Sequence, residues 1–187
     1  MLRISVTMVL LNIRQGGALM HMSNELAFRI ATPDDLPIIV DIYNSTISSR
    51  MVTADTEPVT VQDRMTWYHD HKPEHRPLWV VEYGEEICGW ASLQNFYGRP
   101  AYHPTAEVSI YLHENFRGQG LGKKILGKVI EECPKYGIDR LLAFIFGHNE
   151  PSLRLFASFG FEKWGHFPEV AILDGIRRDL VILGKKI

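Results

Sequence analysis

The run Arg117-Gly118-Gln119-Gly120-Leu121-Gly122 stands where the residue pattern changes from strand to helix, and it constrains the chain more than any other segment. Upstream, Ala106-Glu107-Val108-Ser109-Ile110-Tyr111-Leu112 has the β-branched and aromatic content of a buried strand. Downstream, Leu121, Ile125, Val129 and Cys133 recur every four residues, with Leu126 and Ile130 beside them. Lys123, Lys124, Lys128, Glu131 and Glu132 fall on the opposite side, so the segment reads as an amphipathic helix. Glycines at such a junction let the backbone approach a ligand closely, and the amides of the first helical turn have no partner within the helix. The helix dipole adds partial positive charge at the same place, which suits an anionic phosphate group.

The glycine spacing excludes two familiar phosphate loops. No Lys-Ser or Lys-Thr follows, as a Walker-type loop requires, and Gly118, Gly120 and Gly122 do not match the Gly-x-Gly-x-x-Gly of dinucleotide sites. The pattern is Arg-x-x-Gly-x-Gly, which resembles the acyl-CoA pyrophosphate loop of the GCN5-related N-acetyltransferases (GNAT). A second segment, Asn149-Glu150-Pro151-Ser152-Leu153-Arg154-Leu155-Phe156-Ala157-Ser158-Phe159-Gly160-Phe161, is similar to that superfamily's Asn-x-x-Ser-x-x-Leu-aromatic-x-x-x-Gly-Phe helix. It lies about thirty residues downstream, in the order and spacing the resemblance requires.

A coarse reading of the chain agrees. Leu26 to Ala31 reads as a first strand, and Thr32-Pro33-Asp34-Asp35 as a helix start with cap, proline and first-turn acid. Leu36, Ile39, Val40, Tyr43 and Ile47 continue that helix, and a second spans roughly Val61 to His71. Strands are expected at Pro77 to Tyr83, Glu86 to Asn95 and Ala106 to Leu112, then a helix from Leu121, a strand from Asp139 to Phe146 and a helix near Asn149. Phe161 to Val170 and Arg178 to Leu183 should close the domain as a hairpin around Asp174-Gly175. The resemblance implies an α/β (α+β) GNAT fold: a mixed, mostly antiparallel sheet of about seven strands, splayed between strands 4 and 5 and flanked by four helices.

At 187 residues the chain suits one domain with a full core, assigned to residues 26–187. Residues 1–25 read as an N-terminal extension or a misassigned start, with Met20 and Met22 standing just before the resemblance begins. The apolar stretch from Ile4 to Ile13 is too short to cross a bilayer, and no convincing cleavage site follows it. A formal charge of −2 gives no reason to expect nucleic acid as a partner, and no membrane partner is expected. Cys88 and Cys133 lack metal-ligand spacing and read as buried thiols of a cytoplasmic protein. His69, His71 and His75 are interrupted by Pro73 and read as solvated loop residues, so no metal is expected.

The resemblance implies acetyl-CoA as co-substrate, held by Ile110, Tyr111, Leu112 and Asn149 along the pantetheine arm and by Arg117, Gly118, Gln119, Gly120, Leu121 and Gly122 at the pyrophosphate. An alkyl ammonium must lose a proton before it attacks a thioester. Glu107, a carboxylate inside an otherwise apolar strand, is the candidate base and a contact for the amine. Around it, Arg99-Pro100-Ala101-Tyr102-His103-Pro104-Thr105-Ala106-Glu107 and Thr53-Ala54-Asp55-Thr56-Glu57-Pro58 resemble segments of the phosphinothricin and methionine-sulfoximine acetyltransferases. That narrower likeness implies a small amino-acid-like amine as substrate. Arg99 is then the candidate for its carboxylate, with Tyr97 and Tyr102 as pocket walls, and a homodimer is implied. Phe156 departs from the pattern, because the superfamily commonly has a tyrosine and the phosphinothricin group a histidine there. An N-terminal or lysine acetyltransferase and a non-catalytic acyl-CoA sensor are the alternatives.

Overall fold

The computed structural model describes residues 25–187, so the expected N-terminal extension lies almost wholly outside the described residues. The strands are β1 (Leu26–Ile30), β2 (Leu78–Tyr83), β3 (Glu86–Asn95), β4 (Thr105–Leu112), β5 (Arg140–Phe146), β6 (Glu162–Leu173) and β7 (Ile176–Lys186). The helices are α1 (Leu36–Ile47), α2 (Val61–Asp70), α3 (Leu121–Glu132) and α4 (Glu150–Ala157). A single sheet runs in the order β1-β2-β3-β4-β5-β7-β6. Every neighbouring pair is antiparallel except β4 and β5. The expected element order holds, with β6 and β7 reaching further toward their turn than the residue pattern indicated.

Local chemistry sets the boundaries. Before α1 the expected cap forms, with the Asp35 carboxylate accepting from the Thr32 amide at 2.7 Å, but Pro33–Asp35 make a 3-10 turn ahead of the helix proper. Asp35 also receives a bidentate grip from Arg29 at 2.7 Å per contact, tying β1 to α1. Thr60 and Asp63 form a reciprocal cap at the start of α2. Asp174 and Gly175 both take positive φ, the geometry a two-residue hairpin needs to match strand twist.

The core has two parts, one on each face of the sheet. Leu121, Ile125, Leu126 and Val129 of α3 pack with Phe156 and Phe161 on one face. On the other, Ile39, Ile42 and Tyr43 of α1 pack over Val80 and Trp90. Strand alternation makes this possible: Val81 and Leu93 serve the first cluster, Val80 and Trp90 the second. Both thiols are fully buried as expected, and burial pushes Cys88 up to about 11 and Cys133 to about 12.

Candidate active site

The functional geometry begins where β4 and β5 part. Their parallel ladder has three rungs, Thr105 with Arg140, Ala106 with Leu141 and Glu107 with Leu142, and ends there. Beyond it β4 stays paired with β3 as far as Leu112, while β5 stays paired with β7 through Phe146. The β5-facing edge of residues 108–112 is therefore unpaired, and a groove opens between Ser109, Ile110, Tyr111 and the diverging Phe144 and Ile145. An unpaired strand edge offers main-chain donors and acceptors to an extended ligand.

The glycine-rich turn lies at the far end of β4. Gly118 and Gly120 both have φ near +75°, a conformation that only glycine takes without strain, and Gly120 caps α3. Arg117 folds back so that its Nε donates to the Leu112 carbonyl at 3.1 Å, and Gln119 donates to the Asn115 carbonyl. Gly122, in the first turn of α3, faces Leu155 of α4 and Leu112 of β4. Lys123 and Lys124 are exposed. Groove and turn thus follow one another along the chain, an extended slot ending at a helix N-terminus.

Asn149 and Phe156 of the second motif line the same groove. The Asn149 amide is engaged within the protein, however. Its oxygen caps α4 at the Ser152 amide, and its nitrogen donates to the Met51 carbonyl at 2.9 Å. The loop after α1 is held across the groove by that bond, by His148 to the Arg50 carbonyl at 2.7 Å, and by Arg50 to Asp174 at 2.9 Å. Phe156 is buried edge-on against Phe161, with ring centres 5.0 Å apart.

On the opposite side of β4 from α3, Glu107, Ser109 and Tyr111 face α1 and α2 and line a cavity of about 180 Å³. Ser109 and Tyr111 border both this cavity and the groove, so the two meet at those residues. Burial raises the Glu107 carboxyl above its ordinary value, with no charge or hydrogen bond acting against it. The walls are aromatic: Trp90 stacks on Tyr111 at 4.3 Å, Trp67 meets Trp90 at 5.5 Å, and Tyr43 lies 5.1 Å from Tyr111.

Some expectations change here. Arg99 and Tyr102 line a separate surface hollow, and Tyr97 stands beside them 76% exposed, so one chain does not bring this trio into the Glu107 cavity. The cationic side chain lining that cavity is Arg64 of α2, which the sequence reading passed over. Trp67 of α2 also lines the cavity. His71 is buried, contrary to the solvated reading, with Nδ1 bonded to the Trp67 carbonyl at 2.8 Å and its ring against Trp67. Burial lowers its basicity. Among the described residues no cluster of three metal-binding side chains occurs, and no helix is long and apolar enough to cross a membrane.

Comparison with known proteins gives this geometry its class. Residues 39–161 match the Acetyltransferase (GNAT) family, and the chain belongs to it. It is 53% identical to the Bacillus subtilis (strain 168) protein named "Putative phosphinothricin acetyltransferase YwnH", over 87% of this chain and 99% of that one. The L-methionine sulfoximine/L-methionine sulfone acetyltransferase of Salmonella typhimurium is 28% identical, over 84% of this chain and 92% of its own length. Among solved structures, "yncA, a putative acetyltransferase from Salmonella typhimurium with its cofactor Acetyl-CoA" superposes with a TM-score of 0.78 at 28% identity, covering 86% of this chain and 93% of that one. The protein is an acetyl-CoA-dependent N-acetyltransferase of the phosphinothricin/methionine-sulfoximine group.

Proposed function

We propose that the protein acetylates the free amino group of a small amino-acid-like molecule, by direct attack on acetyl-CoA in a ternary complex. The observation that carries this reading is the meeting of two spaces at Ser109 and Tyr111: an unpaired strand edge on one side and an aromatic-walled cavity holding Glu107 on the other. The pantetheine arm adds along Ile110, Tyr111 and Leu112, a β4 amide faces the thioester oxygen, and the pyrophosphate rests on residues 117–122. Asn149 contributes by fixing the end of α4 and the loop over the groove. The acyl group then points toward the cavity.

Glu107 takes the proton from the substrate ammonium, directly or through water, because its raised carboxyl pKa brings it nearer the range of a working base. The nitrogen bonds to the acyl carbon, the carbon–sulfur bond breaks, and the thiolate departs. Phe156 has no proton to give that thiolate, so protonation falls to water or another side chain. Both cysteines are buried and held neutral, which supports direct attack over a covalent cysteine route. A cavity this small favours a free amino acid over a peptide terminus or protein lysine.

The catalytic domain comprises residues 26–187 in this reading, and the protein acts as a homodimer. β6 is an edge strand, and exposed Phe167, Val170 and Ile172 on it, with Ile176 on β7, supply apolar surface at that edge for a second copy. Measuring CoA release with a panel of amines, including methionine sulfoximine and phosphinothricin, tests the assignment. Turnover confined to peptides, or acetyl-CoA binding without turnover on any amine, would overturn it.

A further inference from the structure

The Glu107 cavity contains charge of both signs, and the positive charge is held in a particular way. Arg64 projects from α2 with its guanidinium 4.1 Å from the Tyr43 ring centre and 5.7 Å from that of Trp67. Cation–π contact of this kind fixes the plane of the group without using its hydrogen-bond donors. One donor is used, Nη2 to Asp55 at 3.0 Å. Nε and Nη1 make no hydrogen bond among the described residues, and the side chain is still 22% exposed. Asp55 is in turn held by Tyr43, whose hydroxyl donates to it at 2.5 Å and also contacts Thr53. Position and orientation are thus set from three sides, and one edge of the fork is left free.

Across the same cavity stands Glu107, which makes no ion pair with Arg64 or with any other described residue. A polyamine pocket would call for several acids and no arginine. A site for a neutral amine would leave the free donors of Arg64 without a task. One free carboxylate and one half-free guanidinium, in mainly aromatic and aliphatic walls that also carry Gln94 and Ser109, are complementary to a molecule carrying an ammonium and a carboxylate. Resting on the amino-acid reading above, we infer that Arg64 binds the substrate's carboxylate and selects amino acids over simple amines. Arg99, in its separate hollow, does not supply that contact within the same chain.

The test compares methionine sulfoximine with the same amine in which hydrogen replaces the carboxylate, using wild type, Arg64→Gln, Arg64→Lys and Arg99→Gln. Loss of a charge-assisted bidentate contact predicts that Arg64→Gln lowers kcat/KM for the amino acid about 10- to 100-fold, chiefly through KM, and changes the decarboxylated amine less than about 3-fold. Arg64→Lys should recover part of the loss, because it keeps the charge without the fork. Equal loss on both amines would mean that Arg64 only supports the fold and would overturn the inference. So would selectivity that collapses in Arg99→Gln and survives in Arg64→Gln. Calorimetric binding of methionine sulfoximine in the presence of CoA separates this inference from the acetyl-transfer reading. Arg64-dependent binding without turnover would sink the transfer reading alone, and binding indifferent to Arg64 would sink the anchor alone.

Discussion

Glu107 lies opposite Leu142 in the last rung of the ladder between β4 and β5, so the carboxylate sits at the apex of the opening in the sheet. Strand alternation turns its side chain away from the α3 face and into the aromatic cavity. The rung that ends sheet pairing therefore also places the candidate base beside the groove. Replacing Glu107 with Gln should lower kcat/KM about 10²- to 10⁴-fold while acetyl-CoA still binds. Calorimetry with the cofactor and initial rates with the amine separate the two effects.

The same residue gives a pH prediction with a definite sign. Burial raises the Glu107 pKa in the folded state, so the base form appears at higher pH than for an ordinary carboxylate, and kcat/KM should rise with pH through that raised value. A carboxyl with a raised folded pKa favours folding below its unfolded pKa, and that advantage is lost as pH rises through the folded one. At neutral pH Glu107→Gln should therefore melt at a higher temperature than wild type while losing the acid limb of the rate profile. A lower melting temperature with an unchanged profile would assign Glu107 a structural task.

How far sequence led can be judged at particular residues. The turn at 117–122 was legible because two left-handed positions at Gly118 and Gly120 demand glycine, and the flanking periodicities change from strand to helix. Glu107 was legible as a charge that an apolar strand had no reason to hold. Arg64 was not, because in Val61–Asp70 polar and aromatic residues alternate without a strong apolar face, and nothing local says which of them turns inward. What turns Arg64 inward is the long-range edge-on contact of Trp67 with Trp90, 23 residues away in β3, with Tyr43 beneath the guanidinium. Arg99 is legible only through the pattern of its loop segment, Arg99 to Glu107. Proximity within one chain depends on how that loop folds, and Tyr97 and Gly98 there turn through positive φ.

Gly89 tests the strand edge from behind. A Cβ at this position would collide with the Tyr111 carbonyl oxygen and come within 3.0 Å of Leu112. Gly89 pairs with Leu112 in the register of β3 on β4, so β4 cannot yield without moving the edge proposed to receive pantetheine. Gly89→Ala should cost about 1–3 kcal/mol of stability by overpacking and weaken acetyl-CoA binding. Ala at Gly84, where a Cβ would meet nothing within 4 Å but φ is +68°, should cost stability through backbone strain and leave cofactor affinity unchanged. Chemical denaturation and cofactor titration on both variants distinguish a local turn defect from a displaced strand.

Asp35 gives a stability prediction remote from the reaction. Its carboxyl is held at about 2, first by the hydrogen bonds from Arg29, with Thr32 assisting and burial opposing. The group is depressed in the folded state, so its contribution is complete above the unfolded value near 3.8 and is lost as pH falls through about 2. Asp35→Asn removes the charge but leaves the Arg29 guanidinium facing an uncharged amide, at a cost of about 2 kcal/mol at neutral pH. The difference in unfolding free energy between variant and wild type should shrink steadily between pH 4 and pH 2, while activity per folded molecule at neutral pH stays the same. A difference independent of pH across that window would mean that the Asp35 carboxylate contributes through shape and not through its charge.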